Sequence, residues 1–212
     1  MSSKDISRSL LEIKAVFCNV EEPFTLTSGS LSPVYVDMRR VISFPSARRL
    51  ISDLAARLIG EQRTDVDVIA GGETAGIPYA AWVAERLDLP MIYIRKKPKG
   101  FGRNARIEGQ LQPGQRVVLV EDLIFDGQSK LLFVEAIRTA GGVCDDVLAV
   151  FNYAFSGHNP LLSQAGIELF SLSTWPVLLD VAREEGFFTP DEIETIREFL
   201  SDPQGWSQQR KS

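Results

Sequence analysis

Residues 117–129 read VVLVEDLIFDGQS and decide the fold that we predict. Four apolar residues indicate a buried strand, Glu121 and Asp122 stand at its end, and a short turn then opens a helix that runs to about residue 140. A strand that leads through a short turn into a helix is the repeating unit of a parallel sheet covered by helices. In such sheets, ligands bind at the carboxyl ends of the strands, where a helix N-terminus offers free backbone N–H groups to a phosphate.

From about residue 45 onward, helical and strand-like patterns alternate at short intervals. This alternation is typical of a parallel sheet with helices on both faces. We therefore predict an α/β fold with a central, mostly parallel sheet flanked by helices. The predicted strands lie at residues 66–70, 91–94, 117–120, 147–153 and 169–172, and the predicted helices at about 46–61, 76–87, 126–140, 175–185 and 190–200.

Three features complete the predicted layout. Residues 1–44, a helix followed by short extended pieces, are expected to form a small hood over the ligand-binding edge of the sheet. Residues 97–115 have no apolar period and are expected to form a long mobile loop, and Thr189 followed by Pro190 predicts a helix start. We predict one domain over residues 1–212, with the hood at about 1–44 plus the C-terminal helices, and the core at about 45–175.

Composition excludes several classes of protein. A formal net charge of -5 over 212 residues argues against a general nucleic-acid binder. No apolar stretch reaches the roughly 20 residues of a membrane helix, and the first residues lack a secretory signal, so we expect a cytoplasmic protein. Cys18, Cys144 and His158 lie far apart without metal-ligand spacing, and the two cysteines are expected to be buried thiols.

Glu121 and Asp122 are the first candidates for ligand binding. Two acids at a strand tip accept hydrogen bonds from the two vicinal hydroxyls of a ribose, while the turn from Asp126 to Ser129 binds the 5-phosphate of the same ribose. The alternative is that the two acids are an exposed strand end and a helix cap.

A cationic segment is the second candidate. Residues 95–106 contain six Lys and Arg residues and no acid. In a chain of net negative charge, such a cluster attracts a polyanion, and a diphosphate fits it well. Gly100 and Gly102 favour mobility, and a closing loop excludes water from a reaction. The alternatives are a solvated surface loop and a patch for RNA.

Two further segments carry weaker signals. Residues 70–78, AGGETAGIP, turn from a strand into a helix through glycines, so that backbone amides can approach an anion closely. A tight turn explains these glycines equally well. Residues 24–39, FTLTSGSLSPVYVDMR, are by periodicity only a turn and an edge strand.

Residues 117–129 resemble the signature of the type I phosphoribosyltransferases, in which apolar residues precede a pair of acids, a short variable run, and a Gly with small hydroxyl residues. The resemblance implies that the two acids hold the ribose hydroxyls of 5-phosphoribosyl 1-diphosphate. Residues 70–78 resemble the diphosphate loop of the same family. The residues implied in binding 5-phosphoribosyl 1-diphosphate are Gly72, Glu73, Thr74, Ala75, Arg95, Lys96, Lys99, Glu121, Asp122, Leu123, Ile124, Phe125, Asp126, Gly127, Gln128 and Ser129.

The cationic segment narrows the resemblance to the orotate phosphoribosyltransferases. In that family a mobile loop carries an Arg-Lys pair, a Lys three residues further on and an acid-Gly ending, which match Arg95, Lys96, Lys99 and residues 108–109. The resemblance implies catalytic roles for Lys99, Glu121 and Asp122. It also implies a Mg²⁺ cofactor carried by the substrate without direct side-chain ligation, and a homodimer in which each loop reaches the neighbouring active site.

The pyrimidine site is expected between the hood and the ends of two strands. Residues 28–39 are similar to the hood signature of the same family, so Tyr35 and Val36 are expected to contact orotate, together with Phe125 and Tyr153. The chain departs from frequent family residues at several positions. It has Ala75 for Lys, Phe101 for His, Phe125 for Thr, Gln128 for Gly or Thr, and Phe151-Asn152-Tyr153 where many members have an Arg for the orotate carboxylate.

The resemblance covers roughly residues 20–206. It implies transfer of the phosphoribosyl group from 5-phosphoribosyl 1-diphosphate to orotate, giving orotidine 5'-phosphate and diphosphate in UMP biosynthesis, with no nucleic-acid or membrane partner. Two alternatives stay open at this point. One is a phosphoribosyltransferase for another base, and the other is a non-catalytic regulator that senses 5-phosphoribosyl 1-diphosphate.

Overall fold

The computed structural model describes residues 1–26, 28–98, 106–153 and 159–211. Within these ranges the helices are α1 (Ser3–Glu12), α2 (Pro45–Gln62), α3 (Gly76–Leu87), α4 (Gln128–Thr139), α5 (Pro160–Gln164), α6 (Trp175–Glu185), α7 (Pro190–Ser201), α8 (Pro203–Gln209) and a 3₁₀ helix, Met38–Ser43. The strands are β1 (Val16–Cys18), β2 (Phe24–Thr25), β3 (Leu31–Ser32), β4 (Val34–Val36), β5 (Val68–Gly72), β6 (Met91–Ile94), β7 (Ile107–Glu108), β8 (Arg116–Ile124), β9 (Val143–Asn152) and β10 (Glu168–Thr174).

The central sheet contains six strands in the order β10-β9-β8-β5-β6-β7. The first five of these strands run parallel to their neighbours, whereas the short edge strand β7 is antiparallel to β6. The predicted α/β fold with a mostly parallel central sheet is therefore confirmed.

Strand β8 shows why helices cover both faces of this sheet. Successive side chains of a strand point to opposite faces. Val118 and Val120 accordingly join a hydrophobic cluster with side chains of α1, α2, α3, α6 and α7, whereas Val117 and Leu119 join a second cluster with side chains of α4 and α5. Because both faces are buried, β8 is continuously apolar from Val117 to Val120, as is usual for parallel sheets.

The hood over one edge of the sheet consists of β1 to β4 and the 3₁₀ helix, and it contacts the C-terminal helix α8. The backbone N–H of Leu31 donates to Oγ of Ser207 in α8 (2.8 Å). The hydroxyl of Tyr79 in α3 donates to the carbonyl oxygen of Met38 (2.7 Å) and thereby joins the hood to the core. Helix α1 lies elsewhere, against α6 and β10. The division of the chain into one domain with a hood stays a prediction.

Strand β8 is longer than the predicted strand at 117–120. It continues through Glu121 and Asp122 to Ile124, because β9 pairs with it to that point. The two acids therefore lie within the strand and do not follow it, which corrects the prediction. Pairing with β5 ends earlier, at Val120 opposite Gly71. Beyond Val120, β8 has no hydrogen-bonded neighbour among the described residues on the β5 side. Glu121 and Asp122 therefore lie beside a gap in the sheet.

Two other boundaries differ, and one prediction is partly wrong. The strand predicted at 66–70 lies at Val68–Gly72, and β9 begins at Val143, before the predicted residue 147. Within the loop predicted at 97–115, Ile107–Glu108 forms strand β7, opposite Tyr93 and Ile94. Apolar periodicity reports burial but not hydrogen-bond partners, so it does not detect a short edge strand.

The helix start predicted at Thr189 is confirmed. The Thr189 side chain accepts a hydrogen bond from the Glu192 backbone N–H (3.2 Å), and the Glu192 carboxylate accepts one from the Thr189 N–H (2.7 Å). This reciprocal capping box satisfies two backbone donors at the N-terminus of α7.

Candidate active site

A cavity of about 660 Å³ opens at the carboxyl ends of β5 and β8, under the hood. Four segments that are far apart in sequence meet around it: the hood, the turn after β5, the start of the cationic segment, and the junction of β8 with α4. Such a position, at the carboxyl edge of an open α/β sheet, is the usual place for a ligand. The lining residues are Tyr35, Val36, Asp37, Met38, Arg39, Ile42, Glu73, Thr74, Ala75, Pro78, Lys96, Glu121, Asp122, Leu123, Ser129, Lys130 and Phe133.

Glu121 and Asp122 border the cavity from neighbouring positions of β8, so their side chains leave the strand on opposite faces. Glu121 points toward α4, where its Oε2 lies 2.9 Å from Nζ of Lys130. Its other oxygen, Oε1, is buried and accepts no hydrogen bond from the described residues. Asp122 lies on the hood side, where its charge acts on Tyr79 and Arg39.

Burial dominates the electrostatics of both acids. Only 3% of the Glu121 side chain is exposed. Burial raises the pKa of Glu121, and Lys130 opposes that shift. Burial likewise raises the pKa of Asp122, with Lys130 and Arg39 acting in the opposite sense. A buried carboxylate is costly unless it gains a partner, so both acids favour a ligand that donates hydrogen bonds.

The turn between β5 and α3 requires glycine because Glu121 lies directly against it. A Cβ atom on Gly72 would lie 1.9 Å from Oε1 of Glu121, and one on Gly76 would lie 2.8 Å from the same oxygen. The turn is also tied to the cationic segment, since Oε2 of Glu73 accepts a hydrogen bond from the backbone N–H of Lys96 (2.8 Å). Of the predicted residues here, Glu73, Thr74 and Ala75 line the cavity.

The turn from β8 into α4 presents a helix N-terminus to the cavity. Gly127, with φ +85°, has no side chain to cap the helix. Oδ1 of Asp126 accepts a hydrogen bond from the Gln128 N–H (3.0 Å), and the Asn159 amide donates to the Asp126 carbonyl (3.2 Å). Ser129 lines the cavity beside this N-terminus, which is the partly positive end of the helix dipole.

The hood wall carries an aromatic ring and a cation. Arg39 donates from Nε to Oδ1 of Asp37 (2.8 Å) and from Nη2 to the hydroxyl of Tyr35 (3.0 Å). The hydrogen bond to Asp37 raises the pKa of Arg39. Tyr35, Asp37 and Arg39 all line the cavity. This wall therefore places a planar ring and an oriented guanidinium opposite Asp122.

The chain resembles known proteins over nearly its whole length. The phosphoribosyl transferase domain model matches residues 43–147. An orotate phosphoribosyltransferase from Ruegeria sp. (strain TM1040) is 49% identical over 208 residues, which cover 97% of this chain and 92% of the relative.

The chain belongs to the orotate phosphoribosyltransferase family.

Two solved structures agree with this membership. The orotate phosphoribosyltransferase from Aeropyrum pernix superposes with a TM-score of 0.73 at 30% identity, over 87% of this chain and 99% of that one. The UMP synthase of Leishmania donovani superposes with a TM-score of 0.81 at 28% identity, over 94% of this chain and 42% of that longer chain.

For a member of the orotate phosphoribosyltransferase family, the residues at the ends of β8 and β9 are of special interest. Phe125 packs edge-on against Tyr153, with 4.9 Å between ring centroids. Tyr153 is buried and also contacts Phe151 and Trp175. Neither Phe125 nor Tyr153 is among the residues that line the cavity. Their predicted contact with orotate stays a prediction, and the aromatic pair is the feature on which it depends.

The predicted cationic residues divide into three groups. Lys96 lines the cavity. Arg95 lies on the side of β7, where its Nη1 donates to Oε1 of Glu108 (3.3 Å). Lys99, the predicted catalytic cation, lies outside the described residues. The same is true of Phe101, the residue found where the family often has His.

Several residues around the cavity were not predicted as site residues. They are Asp37, Met38, Arg39, Ile42, Pro78, Lys130 and Phe133. Lys130 had a detectable signal, because a cation in the first turn of a helix is disfavoured by the helix dipole and indicates an acidic partner. Arg39 and Asp37 had no such signal in the sequence, because their position near Asp122 depends on how the hood packs against the sheet.

The remaining predicted residues have mainly structural surroundings. Glu121 leaves no room for a side chain at Gly72, and Ile124 is fully buried in the cluster beneath α4. Gln128 is exposed and is the first residue of α4. Leu123 is the exception, because it lines the cavity.

Two kinds of feature, a metal-binding cluster and a membrane-spanning helix, are absent from the residues that the structure describes. No group of three or more His, Cys, Asp or Glu side chains there is placed to hold a metal ion by itself. None of the helices there combines the length and apolar character that a membrane span requires.

Proposed function

We propose that this chain transfers the phosphoribosyl group from 5-phosphoribosyl 1-diphosphate to orotate, giving orotidine 5'-phosphate and diphosphate in the synthesis of UMP. Family membership supports the reaction, and the cavity supports its location. The observation that carries the proposal is the pair of adjacent, largely buried carboxylates, Glu121 and Asp122, at the cavity and next to the N-terminus of α4. Buried carboxylates need partners, and the two vicinal hydroxyls of a ribose would supply hydrogen-bond donors to this pair.

The ribose 5-phosphate moiety is assigned to the junction of β8 and α4. The vicinal hydroxyls would donate to the carboxylates of Glu121 and Asp122. The 5-phosphate would accept hydrogen bonds from backbone amides at residues 126–129, where the helix dipole favours an anion. Asp126 already accepts the hydrogen bond of one such amide, that of Gln128 (3.0 Å). The phosphate would therefore use the neighbouring amides and the Ser129 side chain.

The diphosphate is assigned to the opposite side of the cavity. Gly72, Thr74 and Ala75 carry only small side chains or none there, and Glu73 fixes the backbone of Lys96 beside them. Lys96, Arg95 and Lys99 would neutralise the departing diphosphate. The proposed role of Lys99 follows from its place in the loop motif, as it lies outside the described residues.

Orotate is assigned to the space between the hood and the aromatic pair Phe125 and Tyr153. Tyr35 and Val36 would flank the pyrimidine. Arg39 would face the orotate carboxylate, because it is the cation of the hood wall and Tyr35 and Asp37 orient its guanidinium. A planar guanidinium matches the geometry of a carboxylate. This assignment would give the orotate carboxylate a cationic partner from the hood. The chain has Phe151-Asn152-Tyr153 at the end of β9, where many family members have an Arg for this carboxylate.

The reaction breaks the bond between the anomeric carbon and the diphosphate oxygen and forms a bond from that carbon to the orotate nitrogen, whose proton is released to the departing diphosphate or to solvent. Positive charge develops on the ribose while negative charge moves to the diphosphate. Asp122 and Glu121 would hold the ribose in place, and the cations would stabilise the leaving group. Preorganised charges of this kind contribute about 100- to 1000-fold each to such rates.

Mg²⁺ fits the chemistry of this site. Carboxylate oxygens of Asp37, Glu73 and Asp122 line the cavity, and hard oxygen donors of this type suit Mg²⁺ and its bound waters. We propose that the oxygens of the substrate would carry the ion without direct side-chain ligation, and that these carboxylates would contact it only through its bound waters. When bound, Mg²⁺ supplies additional neutralisation of the diphosphate charge.

Three further assignments follow from family membership and the motifs. We propose a homodimer in which the loop that carries Lys99 reaches the partner's site, a cytoplasmic location, and one domain whose hood consists of the segment that follows α1, up to about residue 44, plus the C-terminal helices. Free thiols at Cys18 and Cys144 are compatible with a reducing compartment.

A spectrophotometric assay of orotate consumption, with Mg²⁺ and 5-phosphoribosyl 1-diphosphate, tests the proposal. We expect loss of the orotate absorbance and stoichiometric release of diphosphate. A parallel assay with hypoxanthine is the control, and turnover of hypoxanthine alone would indicate a transferase for another base. Tight binding of 5-phosphoribosyl 1-diphosphate with no turnover of either base would indicate a sensing regulator and contradict the proposal.

A further inference from the structure

Lys130 forms an ion pair with Glu121 at the cavity but has no role in the function proposed above. Nζ of Lys130 lies 2.9 Å from Oε2 of Glu121, and the two side chains are 13% and 3% exposed. Lys130 occupies the third position of α4, directly after Ser129. In this position a cation is opposed by the helix dipole. Its presence therefore requires a compensating interaction, which Glu121 provides.

The ion pair is largely buried and borders the cavity on one side. Oε1 of Glu121 faces the turn after β5, where Gly72 and Gly76 leave room for it. The charged groups that act on Glu121 are Lys130 from α4 and Asp122 from its own strand. Lys130 stabilises the ionised form of Glu121, whereas Asp122 destabilises it.

Glu121 therefore touches three elements at once. Its backbone belongs to β8, its Oε2 contacts α4 through Lys130, and its Oε1 lies against the turn at residues 72–76. Phe133 of α4 closes the same space, since a Cβ on Gly72 would lie 2.4 Å from its ring. The two anion-binding turns, at 72–76 and at 126–129, thus meet at this one carboxylate.

We propose that Lys130 is a positioning residue, whose ion pair with Glu121 holds the two anion-binding turns at the spacing that 5-phosphoribosyl 1-diphosphate requires. The inference rests on the proposed function, because it assumes that the 5-phosphate lies at one turn and the diphosphate at the other.

This role predicts a split between the two substrates. Without Lys130, Glu121 loses its partner and the two turns lose their common contact, so 5-phosphoribosyl 1-diphosphate should be affected far more than orotate. Small displacements of positioning groups cost up to about 100-fold. For Lys130→Met we expect KM for 5-phosphoribosyl 1-diphosphate to rise about tenfold or more, with KM for orotate within about threefold of its starting value.

The test uses four variants of the full chain, with steady-state kinetics and calorimetric titration of 5-phosphoribosyl 1-diphosphate. Lys130→Arg keeps the charge and should restore most of the affinity. Lys130→Met combined with Glu121→Gln removes both charges, leaves no unpaired buried ion, and is the folded variant of choice should Lys130→Met unfold. We expect that double variant to bind no more weakly than Lys130→Met, which is the signature of two residues that act as one unit.

Lys4→Met is the matched control. Lys4 forms an exposed ion pair with Glu184 (2.8 Å), at 49% exposure for both side chains, and it lies on α1, outside the proposed site. Its KM values should be unchanged.

Three results would overturn the inference. The first is a folded Lys130→Met that binds 5-phosphoribosyl 1-diphosphate as the parent does. The second is an equal loss for both substrates without rescue by Lys130→Arg, since that would indicate a merely structural ion pair. The third is a parent protein that binds no 5-phosphoribosyl 1-diphosphate, which would overturn the proposed function as well.

Discussion

The two ends of the cavity are built in different ways. The ribose end lies on β8, one of the two middle strands of the described sheet, where Glu121 is 3% exposed and paired with Lys130, which is 13% exposed. The hood end lies on β4, where Tyr35 is 36% exposed, and on the 3₁₀ helix that follows, where Arg39 is 63% exposed.

This contrast separates two tasks. The sheet holds charged groups in a fixed, partly desolvated place, where electrostatic effects are strong. The hood presents an aromatic ring and a cation that solvent still reaches. We infer that the ribose end provides the chemistry of transfer and the hood end provides the choice of base. Substitutions at the first should affect rate and 5-phosphoribosyl 1-diphosphate, and substitutions at the second should affect orotate.

The largest effect is expected for Asp122→Asn. The amide keeps the shape but loses the charge that the ribose hydroxyls would meet, so kcat/KM should fall about 100- to 1000-fold. Stability should be retained, because burial disfavours the ionised carboxyl in the folded state. Steady-state kinetics and thermal melting measure the two effects.

Asp180→Asn is the control for that variant, because Asp180 forms an exposed ion pair with Arg183 on α6. A kcat/KM for Asp122→Asn within about threefold of the parent would remove this acid from the mechanism.

A loss of stability is expected for Gly72→Ala. The added methyl would lie 1.9 Å from Oε1 of Glu121 and 2.4 Å from the Phe133 ring, so the ribose end must shift. Overpacking of this kind costs about 1 to 3 kcal/mol, measurable by denaturant unfolding. Gly60→Ala is the same substitution in α2, where the new methyl would meet nothing within 4 Å beyond its chain neighbours and the backbone of its own helix, and it should stabilise by about 0.5 to 1 kcal/mol. Equal effects of the two substitutions would contradict the packing that we describe.

Arg39→Ala is expected to raise KM for orotate about tenfold, roughly 1.4 kcal/mol, with KM for 5-phosphoribosyl 1-diphosphate little changed. The neighbouring residue offers a control. Arg40 donates to the carbonyl of Ile13 (2.8 Å) and lies over the Phe44 ring, so Arg40→Ala should leave both KM values unaltered. If Arg39→Ala weakened 5-phosphoribosyl 1-diphosphate more than orotate, the separation between hood and sheet would be wrong.

The smallest effect is expected for Phe125→Ala. An edge-on aromatic pair contributes about 0.5 to 1.5 kcal/mol, so stability should fall by about 1 kcal/mol and KM for orotate should rise about threefold. Leu132→Ala, at a side chain that is 52% exposed on α4, is the comparison. An unchanged orotate KM for Phe125→Ala would show that the aromatic pair packs beside the base without contacting it.

The sheet end of the molecule could be predicted well from the sequence. The apolar run before Glu121, the helix after it and the capping box at Thr189 are local patterns, and local patterns carry enough information to place strands and helices. The length of β8 was missed because it depends on pairing with β9, which is not encoded near Glu121.

The hood end was predicted only through resemblance to a family. Tyr35 and Val36 were placed at the ligand by that resemblance, whereas Arg39 and Asp37 were not recognised. Their position opposite Asp122 follows from the contact between Tyr79 and Met38, which joins residues far apart in sequence. Lys130 could be predicted only in part. Its position in the first turn of a helix was predictable from the sequence, but its partner, Glu121, was not assigned.

A crystal structure with orotidine 5'-phosphate bound would test the central claim most directly, since this product spans both ends of the cavity. We expect the phosphate within hydrogen-bond distance of the backbone amides of Gly127 and Ser129, the ribose hydroxyls at Asp122 and Glu121, and the pyrimidine against Tyr35 with its carboxylate at Arg39. A product bound with its ribose away from Asp122, or with its pyrimidine away from the hood, would contradict the account.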